Sequence, residues 1–187
     1  MTEHLGRTVA LGVAGLVVVV VLIASAAAGG IAGSLTGSLG SPPSASPPTI
    51  PPAYLTVYIE ASATCSGLSW SLLAAIGTVE SGNGTSTVPG VQSGQNEAGA
   101  EGPMQFEPAT FSEYAEPVPP GGANPPSPYD ATDAVYAAAR LLCANGAENG
   151  VDLPDAVYAY NHSASYVAEV LGLATSLAQT PEATKDN

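Results

Sequence analysis

A carboxylic acid that must deliver a proton near neutral pH needs a partly dry, electronegative setting, and one glutamate in this sequence meets that description. Glu80 lies one turn after Ile76 and two turns after Leu72, so it extends an apolar stripe at the carboxyl end of a helix, directly before Gly82-Asn83-Gly84. Partial burial raises a carboxyl pKa, and the negative end of the helix dipole pushes the same way. A group held protonated in this manner can donate to the oxygen of a leaving group. On its own, the position is equally compatible with a solvated glutamate in a last helical turn.

Two further groups of residues add to it: Gly102-Pro103-Met104-Gln105-Phe106 after a polar loop, and Ala159-Tyr160-Asn161 late in the chain. Met104 and Phe106 also read as core side chains that fix a turn, and Trp70, at a helix start, reads as packing rather than as a stacking platform for a ring. His162 is the one histidine outside the amino-terminal residues, so a His-rich metal cluster is excluded. No Gly-x-Ser-x-Gly elbow accompanies it, which argues against a serine triad. No metal and no cofactor is expected, and Arg140 is expected to pair with a nearby carboxylate.

The elements that must hold these residues are helices. Tyr54, Leu55, Val57, Tyr58 and Ile59 predict a short first helix ending before Cys65. Ser69 can cap a second, running to Glu80 with Leu72, Leu73, Ile76 and Val79 at helical spacing, and Gly82 and Gly84 stop it. Residues 85–100 read as a loop, and Pro108 suits the first turn of a short helix to about Ala115. The six prolines between Pro117 and Pro128 predict a fixed surface connection. Asp130 or Thr132 caps the next helix, ending near Gly146; Asp152 caps another with Pro154 at its first position; a last helix spans about Ser165 to Leu177. No useful strand alternation and no internal repeat is present, so the fold class is mainly α.

The chain has 187 residues, 16 acidic and 3 basic, the basic ones being Arg7, Arg140 and Lys185. Neutralising phosphates is beyond such a chain, so nucleic acid is excluded as a partner, as is polybasic attachment to anionic lipid. From Val9 to Ala28 no charge occurs over 20 residues, about 30 Å of helix and the thickness of a bilayer core. The stretch reads as a retained membrane anchor, or as a signal peptide removed at Ala24-Ser25-Ala26. With Arg7 on the short side, the rest of the chain is expected outside the cytoplasm: a single-pass membrane protein, or a secreted one.

Residues 1–8 are then a cytoplasmic stub and 29–52 a spacer in which 16 of 24 residues are Gly, Ser or Pro. At polyproline rise the spacer reaches about 70 Å at most. The folded domain is expected over 53–178, with 179–187 as a tail. Cys65 and Cys143, an even pair in an exported chain, read as a disulfide, with two buried thiols as the alternative.

Taken in order, Val79-Glu80-Ser81-Gly82, Gly102-Pro103-Met104-Gln105-Phe106 with Pro108-Ala109-Thr110, and Ala159-Tyr160-Asn161-His162-Ser163 resemble the lytic murein transglycosylases of the lysozyme-like superfamily. The resemblance covers about 110 residues, and the closing Tyr160-Asn161-His162-Ser163 with Tyr166-Val167 is most similar to wall-acting versions from actinobacteria. It implies a lysozyme-like helical domain acting on the glycan strands of peptidoglycan, with envelope machinery as a further class of partner. Glu80 would protonate the oxygen between N-acetylmuramic acid and N-acetylglucosamine, then act as base toward the muramic 6-hydroxyl, leaving a 1,6-anhydro end. Ser81 would help orient the acid; Gln105 and the backbone of the turn from Gly102 through Met104 to Phe106 would line the groove and bond the sugar; Tyr160 would sit near Glu80; Asn161 would hold that turn or a substrate amide.

A two-carboxylate glycosidase would need a second acid across the bond. Glu97 and Glu101 fall in the loop, Glu107 and Glu113 flank the short helix, and Asp130, Asp133, Asp152 and Asp155 have helix-start explanations. This absence favours attack by the substrate's own hydroxyl over hydrolysis, with Glu101 left as the acid that could serve as a base. A hydrolytic muramidase and a non-catalytic wall-binding scaffold are the alternatives.

Overall fold

The computed structural model describes residues 48–180. Helix α1 spans Pro52–Ser62, α2 Trp70–Ser81, α3 Pro108–Tyr114, α4 Ala131–Leu142, α5 Leu153–Tyr160 and α6 Ala164–Ala178, with a π turn at Cys143–Ala147 and a 3-10 turn at Glu148–Gly150 after α4. The only strand-like pairing among the described residues is an isolated antiparallel bridge between Glu101 and Phe106. The mainly helical expectation therefore holds. The expected span at 9–28 and the tail at 181–187 lie outside the described residues, and no described helix is long and apolar enough to cross a membrane. Helix α1 opens at Pro52, one residue inside the expected spacer.

Local chemistry sets the helix ends. Ser69 accepts from the N–H of Leu72, Asp130 from Asp133, Asp152 from Asp155 and Ser163 from Tyr166, each filling an orphan donor of a first turn. Helix α2 stops at Gly82, which takes the left-handed conformation (φ 61°) that glycine adopts without a Cβ penalty.

Helix α2 differs from the amphipathic helix its sequence suggests. Every residue from Ser71 to Gly77 is buried, so it is the central helix of the domain rather than a surface helix with one wet face. Its small residues make this possible. A Cβ at Gly77 would collide with the Tyr58 hydroxyl, so glycine lets α1 close on α2 there. Around α2 pack α1, α4 and α6, and the shared core includes Tyr58, Leu72, Leu73, Ile76, Met104, Val135, Leu142, Val157, Val170 and Leu177. A disulfide joins Cys65, just after α1, to Cys143, at the end of α4, across 78 residues.

The proline-rich connection is held from inside. Asp133 is fully buried, and its Oδ2 accepts from the N–H groups of Ala123 (3.1 Å) and Ser127 (2.9 Å). Among the described residues Arg140 has no carboxylate in direct contact, contrary to expectation. It donates to the main-chain carbonyls of Tyr114 (2.7 Å), Ala115 (3.0 Å) and Pro117 (2.5 Å), closing the open end of α3 onto α4.

Candidate active site

Glu80 occupies the last turn of α2 and faces a cleft lined also by Gln105, Phe106, Glu107, Thr110, Leu141, Tyr160 and Asn161. Four segments far apart in sequence build it: the end of α2, the turn and short helix after Gly102, the end of α4 at Leu141, and the end of α5. Burial pushes the Glu80 carboxyl up to about 7 from its ordinary 4.5. A hydrogen bond from the Tyr166 hydroxyl (2.6 Å to Oε1) opposes that rise, and the charge of Glu169 adds to it. The group is thus half-protonated near neutrality, the condition for an acid that must also serve as a base.

The second segment is a tight reversal. Glu101 and Phe106 exchange both main-chain hydrogen bonds (2.8 and 2.9 Å), and Gly102-Pro103-Met104-Gln105 turns between them. Gly102 stands at φ 75°, and any Cβ there would strike the carbonyl of Pro128, so the position admits only glycine. Gln105 is held at φ 49°, a left-handed conformation uncommon for a residue with a side chain. Its amide compensates: Nε2 donates to the Gly102 carbonyl (2.8 Å), and Oε1 accepts from Asn96 Nδ2 (2.9 Å). Gln105 lines the cleft, and beside these two bonds its amide has one further N–H and one further lone pair to offer.

Tyr160 and Asn161 end α5. The Tyr160 hydroxyl donates to the Met104 carbonyl (2.7 Å), and its ring meets Phe106 edge to face at 5.6 Å, so α5 and the turn are locked together across the cleft. Asn161 is largely buried and is among the residues that line the cleft. Burial, with the charge of Glu80 adding to it, drives the phenols of Tyr160 and Tyr166 well above the ordinary range, so both remain neutral donors.

Several expected roles change. Ser81 is buried and makes no hydrogen bond to the Glu80 carboxyl among the described residues. Its hydroxyl donates to the Pro103 carbonyl (2.6 Å) and accepts from the Gly84 N–H (2.7 Å), tying the end of α2 to the turn. Met104 has no exposed surface and Gly102 is buried, and neither is among the cleft residues, so what this part of the turn could offer a ligand is main chain. Glu101 is not among the cleft residues and instead accepts from Gln95 Nε2 (3.0 Å). Glu107, set aside on sequence as a helix-flanking residue, does line the cleft and makes no side-chain cap for α3.

Tyr166 enters the sequence reading only as part of the closing motif, with no role at the site. It begins the buried series Tyr166, Val170, Ala174 and Leu177 of α6, at spacings of four, four and three. Followed back to its first member, that stripe leads to an aromatic hydroxyl facing α2, the helix most closely packed against α6. No group of His, Cys, Asp and Glu able to hold a metal ion occurs among the described residues.

Residues 57–181 match the family model described as transglycosylase SLT domain. No curated protein and no solved structure matches the chain.

Proposed function

The chain belongs to the transglycosylase SLT domain family, whose activity is the cleavage of glycosidic bonds in peptidoglycan, and from this premise we propose that it is a lytic transglycosylase with Glu80 as acid and then base. The observation that carries the proposal is Glu80 itself, the one acid among the described residues whose carboxyl is pushed to about 7, facing a cleft with Gln105, Tyr160 and Asn161. Protonated Glu80 gives its proton to the oxygen between N-acetylmuramic acid and N-acetylglucosamine. The bond from that oxygen to the muramic C1 breaks, and the N-acetylglucosamine 4-hydroxyl leaves. The Glu80 carboxylate then takes the proton of the muramic 6-hydroxyl as its oxygen bonds to C1, closing a 1,6-anhydro ring and restoring the acid. No water is consumed.

The charge-free run from Val9 to Ala28 and the Pro/Gly/Ser-rich spacer support a domain held outside the cytoplasm on a membrane tether, positioned to open the wall locally for remodelling or for assembling envelope machinery. A second reading, hydrolytic muramidase, gains one specific observation: Glu107 lies in the same cleft as Glu80, where a base for water would have to be.

One experiment separates the two. Cell-wall sacculi are digested with the purified exported region, and the muropeptides are analysed by mass spectrometry. Anhydro-muramic ends that fall by 100-fold or more, to order of magnitude, in Glu80→Gln are the expected result. Reducing ends alone, with loss in both Glu80→Gln and Glu107→Gln, would establish the hydrolase. Binding to sacculi without any cleavage by the wild type would refute both and leave a wall-binding module.

A further inference from the structure

We propose that Tyr58 and Asn83 are positioning residues for Glu80: their buried hydrogen bond braces α1 against the turn that ends α2, and so fixes how far the Glu80 carboxyl is withdrawn from water. The inference rests on the reading of Glu80 given above. It starts from the backbone. Gly82, Asn83 and Gly84 stand at φ 61°, 57° and 72°, three left-handed residues in succession, directly after the turn of α2 that carries Glu80. Glycine takes that conformation freely. Asn83, with a side chain, takes it at a cost that persists only where the surroundings enforce it.

That enforcement comes from α1. Asn83 is 1% exposed. Its Oδ1 accepts from the Tyr58 hydroxyl at 2.8 Å, and its Nδ2 donates to Thr78 Oγ1 at 3.1 Å. Thr78 gives its own hydroxyl proton to the Ala74 carbonyl at 2.7 Å, so the chain of donors runs one way from α1 into the body of α2. Meanwhile the N–H groups of Gly82 and Asn83 close on the carbonyls of Thr78 (2.9 Å) and Gly77 (2.8 Å), the capping that keeps a last helical turn from fraying.

Helix α1 is shaped for this contact. Tyr54 and Tyr58 lie one turn apart, with ring centroids at 5.9 Å. A Cβ at Gly77 would collide with the Tyr58 hydroxyl, and one at Gly84 with that of Tyr54, so a glycine on each side of Asn83 admits the two phenols. Burial, with the charge of Tyr54 adding to it, raises the Tyr58 phenol above its ordinary range, so it stays a neutral donor. Tyr54 lies ahead of residues 57–181, which match the family model, so this part of the brace belongs to the chain's own first turn.

The consequence for Glu80 is one of solvation. Burial is the chief reason that its carboxyl stands near 7. Without the Tyr58 bond the turn loosens, the last turn of α2 frays, and water reaches the carboxyl, which then ionises more readily. The other titratable groups around it are Tyr166 and Glu169 of α6, Tyr160 of α5 and Glu107 ahead of α3, and all of them are present with or without the brace.

Two variants test it. Tyr58→Phe removes the donor and keeps the ring; Asn83→Gly removes the acceptor at a position whose φ suits glycine. Carbon-13 NMR of the glutamate carboxyls, with Glu80→Gln identifying the Glu80 signal, should show the Glu80 midpoint lowered by about one pH unit in each. The alkaline limb of the cleavage rate on sacculi should move down with it, and the rate at neutral pH should fall about fivefold with the protonated fraction. Since both variants break one bond, the double variant should shift no further than Asn83→Gly alone. A midpoint that stays in place or rises in either variant, whatever its melting temperature does, would overturn the proposal, because lost stability by itself does not move it. Shifts that add in the double variant would overturn it as well. If Tyr58→Phe does not fold, Asn83→Gly is read alone by the same titration. Because the NMR midpoint is independent of turnover, a wild type with no cleavage would count against the enzyme reading while the brace is still decided.

Discussion

At the residue scale, the position of Glu80 has a measurable thermodynamic signature. Its carboxyl titrates near 7 in the folded chain and near 4.5 when freely solvated. The folded state therefore holds a proton that the unfolded state has released between those values. For a raised pKa, the stabilising contribution is complete below the unfolded value and is lost as pH rises through the folded one. Glu80→Gln removes this dependence, so its melting temperature relative to wild type should climb as pH goes from about 4 to about 8. A difference constant across that range would mean that Glu80 is not desolvated. The apolar stripe through Leu72 and Ile76 made this residue legible in sequence. Tyr166 was not, because a hydroxyl 86 positions away reveals its partner only when α6 is docked on α2.

At the element scale, the cleft depends on how the end of α2 meets the Gly102 turn, and Ser81 is the joint. Its hydroxyl bonds Pro103 on one side and Gly84 on the other while itself buried. Ser81→Ala would leave a buried carbonyl and an amide without that partner, at a cost of about 1–3 kcal/mol. Urea denaturation should show this loss. Sequence supplied the neighbourhood of this joint but not its wiring. Side-chain hydrogen bonds from a helix's last turn are set by what the next element brings, and that element begins some twenty residues later. The same limit explains why Glu107 passed for a helix-flanking acid: the docking of α3 against α4, fastened by Arg140, is what brings it to the cleft. The helix starts, by contrast, were readable at Ser69, Asp130 and Asp152, where capping chemistry is local.

At the scale of the whole molecule, the Cys65–Cys143 disulfide closes most of the domain into a loop. In the chain-entropy picture, a loop of this length stabilises by about 4 kcal/mol. Reduction under non-denaturing conditions, or the Cys65→Ser/Cys143→Ser pair, should lower the melting temperature by on the order of 10 °C or more; an unchanged value would show the bond to be dispensable. The pairing was foreseeable from an even cysteine count in a chain read as exported, whereas the all-round burial of α2 was not. Alternating large and small residues look amphipathic until neighbouring helices fill the grooves left by Ala74, Ala75 and Gly77. The arrangement of Arg140 has one more consequence. Among the described residues it is the sole lysine or arginine, against 13 acids, and its guanidinium is directed at main-chain carbonyls. Dissolved ions then have mostly like-charge repulsion to screen, both within the domain and between the domain and any polyanion it approaches. Raising the ionic strength over the first few tenths molar should tighten such encounters, the reverse of proteins that release counterions when they bind.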